Sequence, residues 1–357
     1  MCIRDRDIPH PALEVLLTVD EEIGLLGATA FEPNKLRGTR FINLDSEEEG
    51  VLTISCAGGL RGECTLEVDL ENGAGTFYEL QLTGLLGGHS GVEIHKGRKN
   101  ANRLIGRIMW NLIQQVPFHL VSIHGGEKEN AIAAEATAIV CIPEGEKENF
   151  LQVFDAYVKR MKEELSLREP NMKVILEPTD SYSQMMTAES TLKVIHMLYL
   201  SPNGMQSMSA VIPGLVQTSL NMGIVFTNNH VVTAKYSIRS SVVSEKTELK
   251  ERLMAQMDLL GGAVEFCADY PAWEYREDSP LRECAVRAYK TVYNAKPDIS
   301  AIHAGLECGI FAGKNQNLDC ISFGPNITAV HTVNETMEIA SVQRTWLFLL
   351  EILKRSK

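Results

Sequence analysis

Strand-like runs at both ends of the chain, separated by a long middle of different texture, restrict the fold more than any composition figure does. Leu13-Glu14-Val15-Leu16-Leu17-Thr18-Val19 reads as a buried strand, Ile23 to Phe31 as a short helix, and Arg40-Phe41-Ile42-Asn43-Leu44-Asp45 as a second buried strand. Strand, helix, strand is the opening of a parallel α/β layer. From about Cys64 the pattern changes to alternating strands, Cys64 to Leu70 and Phe77 to Thr83, then an amphipathic helix from Asn100 to Gln115. Strands 119–124 and 132–142, helix 147–166, strand 172–177, helix 188–200, strands 216–227 and 230–239, helix 245–260 and strand 263–268 follow. After Trp273 the first texture returns: helix 279–291, strands Ile299 to His303 and Ile321 to Gly324, and an amphipathic helix 337–354. The expected organisation is an α/β domain split into 1–59 and 273–357, interrupted by an α+β domain over 60–272 whose element order recurs in two halves without a residue-level repeat. A chain of 357 residues ordinarily forms two such units. No Gly/Ser-rich or Pro-rich linker divides them, so relative motion would hinge near 60 and 272.

Charge and composition remove several classes of function. A formal charge of −12 disfavours nucleic acid and anionic membrane surfaces as partners, because both need concentrated positive charge. Hydrophobic residues at 45% and charged residues at 22% fit a globular protein with a real core rather than a disordered or fibrous one. No run of eighteen uncharged apolar residues occurs, and Met1 to Arg6 holds no apolar stretch of the secretory kind, so a cytoplasmic location is expected. The eight cysteines include no C-x-x-C pair and read as reduced, packed thiols.

Three places suggest chemistry. Asp20-Glu21-Glu22 directly follows an expected strand, and sites in open α/β sheets lie at the carboxyl ends of strands. Of adjacent carboxylates there, one can bind a metal while its neighbour takes a proton from metal-bound water. The other reading is a solvated acidic turn that caps the next helix. Asp45 also ends a strand, where a hard carboxylate suits zinc, whereas Glu47, Glu48 and Glu49 behind it read as a solvated run. His331 stands in the loop after the strand that ends near 324, a position that becomes a ligand only where other ligands converge.

Five segments taken together resemble a known family: Thr18-Val19-Asp20-Glu21-Glu22-Ile23-Gly24, Asn43-Leu44-Asp45-Ser46-Glu47-Glu48-Glu49-Gly50, Gly87-Gly88-His89-Ser90-Gly91, Ile302-His303-Ala304-Gly305-Leu306-Glu307-Cys308-Gly309, and Gly324-Pro325 through His331. They are similar, in order from about residue 9 to the C-terminus, to the aminoacyl-histidine dipeptidases. This is the Xaa-His branch of the zinc peptidase superfamily that contains carnosinases and glutamate carboxypeptidases. The resemblance implies an α/β zinc-peptidase catalytic domain interrupted by a lid and dimerisation domain. It also implies a homodimer, and hydrolysis of dipeptides of broad Xaa-His type with two Zn2+ ions, for which Co2+ or Mn2+ can substitute. Glu21 then matches the general base, Glu22, Asp45 and His331 match metal ligands, and His89 matches a lid histidine that reaches a partner's site in dimeric relatives and stabilises the oxyanion. Asn130 and Arg239 match positions that hold the substrate carboxylate, a task for which the guanidinium fork is well suited. His303 and Glu307 match the loop lining the pocket, with Glu307 facing the dipeptide's ammonium; the alternatives are a satisfied core histidine and a helix-start carboxylate.

Departures from the family pattern accompany the matches. An His-x-Asp segment and a Gly-Ala-Asp-Asn-Gly type segment, which supply one zinc histidine and the bridging carboxylate, have no counterpart in these residues. His10, between two prolines, lacks the x-Asp partner that orients a zinc histidine. Met1 to Arg6 matches nothing in the family, and an N-terminally truncated gene is the expectation. A related zinc aminopeptidase or deacylase, or a dimerising fragment without activity, are the competing readings.

Overall fold

Only residues 44–50 connect the strand Arg40–Asn43 to the strand Val51–Cys56. A parallel crossover needs about a dozen residues or more, so the second strand must run back against the first. The computed structural model, which describes residues 8–21, 24–32, 35–330 and 332–357, shows this arrangement. The strand order of the four-stranded sheet is Arg40–Asn43, Asp319–Ser322, Val51–Cys56, Asp298–Ile302. The outer pairs are parallel and meet antiparallel at Ser322 and Thr53, so the layer is mixed rather than parallel. Leu52, Ile54 and Ile321 pack with Leu281 and Ala285 of the helix Pro280–Tyr293 and with Phe348 and Ile352 of the helix Ile339–Arg355. A second cluster joins Cys56, Cys308, Phe311, Cys320 and Trp273.

The expected buried strand Leu13 to Val19 is not one. No described strand pairs with it, and Leu13, Val15, Leu17 and Val19 are 50%, 79%, 88% and 68% exposed. Apolarity marks a run as fit for burial, but a strand exists only where its N–H and C=O groups meet a neighbour. The segment is held instead by Leu16, packed on the second cluster, and at its ends. Glu14 accepts the backbone N–H groups of Arg37 and Gly38, each at 2.8 Å, and Gly27 leaves room for the Val19 carbonyl, which any Cβ there would strike. Glu22 and His331, two of the candidate ligands, lie outside the described residues.

The second sheet has nine strands. Its order is Lys173–Pro178, Thr76–Thr83, Ala136–Ile142, His119–Gly125, Val216–Asn228, Val231–Ser240, Gly58–Glu67, Ala263–Tyr270, with Gly204–Met208 beside Val216–Asn228. Every pairing within it is antiparallel. The helices Ala101–Ile113, Lys147–Leu165, Ala188–Leu200 and Val243–Leu260 bury Ile105, Ile108, Phe150, Val194 and Leu253 against it in one large core. Val216–Asn228 and His119–Gly125 share a short ladder, in which Val225 pairs with Gly125 and Phe226 with His124. Between the sheets the chain crosses twice, at Ala57 and at Pro271-Ala272. The crossings are tied by Cys56 and Trp273, whose N–H groups each donate to the other's carbonyl at 3.0 and 3.1 Å.

Candidate active site

The lid contribution begins with two loops laid side by side. Gly88–His89 pairs with Ala131–Ile132, and the Ser90 N–H donates to the Asn130 carbonyl at 2.9 Å. Asn221 fixes the second loop: its amide donates to the carbonyls of Glu129 at 3.1 Å and Ala131 at 2.7 Å, on either side of the exposed Asn130. In the first loop, His89 Nδ1 accepts the N–H groups of Gly91 and Val92, both at 3.2 Å. A ring nitrogen that accepts leaves the proton on Nε2, which is therefore a donor. Burial and the nearby Arg239 charge push the His89 pKa down, keeping the ring neutral at neutral pH.

Arg239 and His303 join this group. Arg239, on Val231–Ser240, donates from Nη1 to the Tyr270 hydroxyl at 3.2 Å, while its Nε is buried without a partner. His303 follows the strand Asp298–Ile302 and is 6% exposed. Its Nε2 lies 2.7 Å from the Ser219 hydroxyl, and its Nδ1 is buried without a partner. Burial first, and the Arg239 charge second, push its pKa down to about 3. The His303 carbonyl is so close to Gly91 that a Cβ there would come within 2.9 Å of it, so the His89 loop and the His303 loop of one chain are in contact. Glu307 is the first residue of the helix Glu307–Lys314, and its Oε1 is buried without a partner. His303 is thus only half satisfied, and Glu307 is a helix-start carboxylate with an unused oxygen.

Leu306, on the same loop, lines a cleft of about 810 Å3 together with Asp45, Glu47, Glu48 and Asn326. The Asp45 N–H donates to Asn43 Oδ1 at 2.9 Å, which sets the turn at the end of its strand. Ser46 and Ser322 share a hydrogen bond at 2.7 Å, and only a glycine at 324 fits against the Ser46 carbonyl. The Asp45 loop is therefore locked to the end of Asp319–Ser322. Glu21 is not among the described residues of this lining; it follows Asp20, left-handed at φ +56°, and its carbonyl accepts from Gly24 and Leu25. Among the described residues no three His, Cys, Asp or Glu side chains converge as a metal-binding group. Asp45 is the one described candidate ligand on the cleft, so the described residues do not by themselves form a two-metal centre. Sequence reasoning missed Ser219, Asn221 and Tyr270. Ser219 is 84 positions from His303, and nothing in a single strand pattern links them.

Over 354 residues the chain is 36% identical to the cytosol non-specific dipeptidase of Escherichia coli (strain K12), spanning 99% of this chain and 73% of that protein. The chain belongs to the aminoacyl-histidine dipeptidase family of M20 peptidases. Its structure matches the crystal structure of aminoacylhistidine dipeptidase from Vibrio alginolyticus with a TM-score of 0.94 at 36% identity, covering 99% of this chain and 72% of that one. Residues 80–169 match the family described as Peptidase dimerisation domain, so the large sheet carries that module. Like other M20 peptidases this chain is an enzyme of the hydrolase class with a mixed α/β architecture. Among its described residues no helix is long and apolar enough to cross a membrane.

Proposed function

We propose that the site binds a zwitterionic dipeptide, of broad Xaa-His type, and that the metal-loaded enzyme hydrolyses its peptide bond. One observation carries the reading. Of the eight buried side-chain atoms without a hydrogen bond among the described residues, Arg239 Nε and His303 Nδ1 belong to side chains close enough for one charge to act on the other, and Glu307 Oε1 belongs to the helix start that follows the His303 loop. Natural proteins rarely leave buried polar atoms unpaired, and this set offers a cationic donor, an imidazole nitrogen and an anionic acceptor. A dipeptide supplies the complement, with its carboxylate for Arg239 and Asn130 and its ammonium for Glu307. The His89 Nε2–H is the donor for the scissile carbonyl oxygen, and Glu21 is the base that takes a proton and returns it to the leaving amine.

The metal reading rests on the family resemblance. Glu22, Asp45 and His331 correspond to three of five ligand positions for two Zn2+ ions, with Co2+ or Mn2+ as substitutes. Bound there, such ions supply Lewis acidity and a water of lowered pKa. With three of five positions represented, the 357 residues by themselves are proposed to turn over dipeptides negligibly. Residues 60–272 are proposed as lid and dimerisation unit of a homodimer, and the cytosolic relative supports a cytoplasmic location.

Titration calorimetry with L-alanyl-L-histidine, its N-acetyl form and its C-terminal amide tests the binding half. Each blocked form should bind at least about tenfold more weakly than the free dipeptide, as expected for a lost charge-assisted contact. Glu307→Gln should erase the penalty for acetylation. Equal binding of all three ligands to the unaltered chain would sink the reading.

A further inference from the structure

Three strands of the large sheet bring Arg239, Gly59 and Tyr270 into one row. Arg239 pairs with Gly59 across one interface, and Tyr270 pairs with Gly59 across the next. Side chains in such a row project from the same face of the sheet. Arg239 and Tyr270 are two strand spacings apart, about 10 Å, too far to touch over an ordinary middle residue. Gly59 removes the obstacle. A Cβ at 59 would collide with the Tyr270 ring at Cε1, Cζ and the hydroxyl oxygen, so the ring lies across the middle strand and delivers its oxygen to Arg239 Nη1 at 3.2 Å.

The sequence around Tyr270 is arranged to place it in that row. Cys267 pairs with Arg61, yet Tyr270 pairs with Gly59, so one extra residue is accommodated between them, and Ala268 takes the left-handed φ of +51° there. Such a bulge re-aims the side chains that follow it. The backbone of Tyr270 is then anchored, since Lys246, 8% exposed, donates from Nζ to its carbonyl at 2.9 Å. On its other side the ring meets Gly305, where a Cβ would come within 2.8 Å of Cε2. Gly305 belongs to the loop between His303 and Glu307. The ring therefore touches both the lid strand and the loop that carries the other two orphaned groups.

We propose that Tyr270 is a positioning residue that holds the Arg239 guanidinium in the orientation that receives the substrate carboxylate, with Gly59 as the opening that lets it do so. A long, rotamer-rich arginine with one hydroxyl on Nη1 keeps its remaining donors aimed in one direction, which lowers the cost of ordering it on binding. Tyr270 itself makes no contact with the dipeptide in this arrangement. The inference rests on the reading that Arg239 binds the carboxylate, and the experiment separates the two.

The readout is the preference of the full chain for L-alanyl-L-histidine over its C-terminal amide, a ratio that general loosening of the fold does not select. Tyr270→Phe should keep the melting temperature but shrink that preference by about five- to tenfold, as for one lost hydrogen bond to a charged group. Gly59→Ala, whose φ is ordinary, should do the same with the phenol still present, because the ring is displaced. Arg239→Met should abolish the preference, and adding Tyr270→Phe to it should change nothing further. If Tyr270→Phe keeps the preference while Arg239→Met abolishes it, Tyr270 is packing only and the proposal is overturned with the carboxylate reading intact. If Arg239→Met keeps the preference, or the unaltered chain shows none, the carboxylate reading fails and this proposal fails with it.

Discussion

His303 is held between Ser219 on one side and the positive field of Arg239 on the other, in a site that excludes water. Its pKa, about 3 in the fold against an ordinary 6.5, makes it a sensor of stability. Between those values the unfolded chain takes up a proton that the folded chain refuses. Stability from this residue is therefore fully present above the unfolded pKa and is lost as pH falls toward the folded value. The loss runs at up to about 1.4 kcal/mol per pH unit. Thermal melts between about pH 7 and pH 4 should show a shallower decline for His303→Gln than for the unaltered chain, because glutamine has no proton to gain. Identical slopes would mean that the imidazole is protonated in the fold. At this scale the sequence showed Asp45 just past a strand end, whereas the strand expected before Glu21 is absent, and the resemblance added Arg239, His303 and Glu307. It could not show the atoms that complete them, since the His303 partner comes from a strand of the other sheet and the Arg239 partner depends on a bulge.

The helix Ala101–Ile113 starts on Asn100, which is 2% exposed and serves three purposes at once. Its oxygen accepts the Arg103 N–H at 3.2 Å, and its amide donates to the Met222 carbonyl at 2.9 Å and to Asn221 Oδ1 at 3.1 Å. Asn221 in turn holds the loop that carries Asn130. Asn100→Ala should therefore cost about 1–3 kcal/mol in urea unfolding with an unchanged m-value, combining a lost cap with buried acceptors left short of a donor. A loss below about 0.5 kcal/mol would show that water replaces the amide. Uninterrupted periodicity made this helix and Lys147–Leu165 legible to within a residue or two. The strand Gly58–Glu67 begins earlier than its pattern suggests, because Gly58, Gly59 and Gly62 carry little strand signal. Those glycines are there for approach: Pro271 and Ala272 pass against Gly58, and the Tyr270 ring covers Gly59. Val51–Cys56, set between two expected elements, was also hidden, and the helix Glu307–Lys314, only eight residues with a glycine inside, was legible only as an alternative reading of its first residue. Leu13 to Val19 failed in the opposite direction, since its apolar pattern promised pairing that no described neighbour provides.

Across the whole molecule the two sheets carry different candidate residues, one Asp45 and its cleft, the other His89, Asn130 and Arg239. With Glu22, Asp45 and His331 as the ligands represented, elemental analysis after dialysis should find at most one zinc per chain, and that one weakly held. Two ions retained through dialysis would show that other side chains complete the centre. His89 and Arg239 stand close together on the large sheet and its loops, near enough for the Arg239 charge to push the His89 pKa down. How the sheets are joined follows from the paired crossings at Ala57 and Pro271-Ala272, buttoned together by the two backbone hydrogen bonds of Cys56 and Trp273. Adjacent straps of this kind resist sliding and torsion, and the contacts of Ser219 with His303 and of Tyr270 with Gly305 close the same seam beside them. At the straps themselves the ties are peptide groups rather than side chains, so a substitution there leaves them in place, whereas one residue inserted into either strap would put the pair out of register and set the large sheet down off its mark.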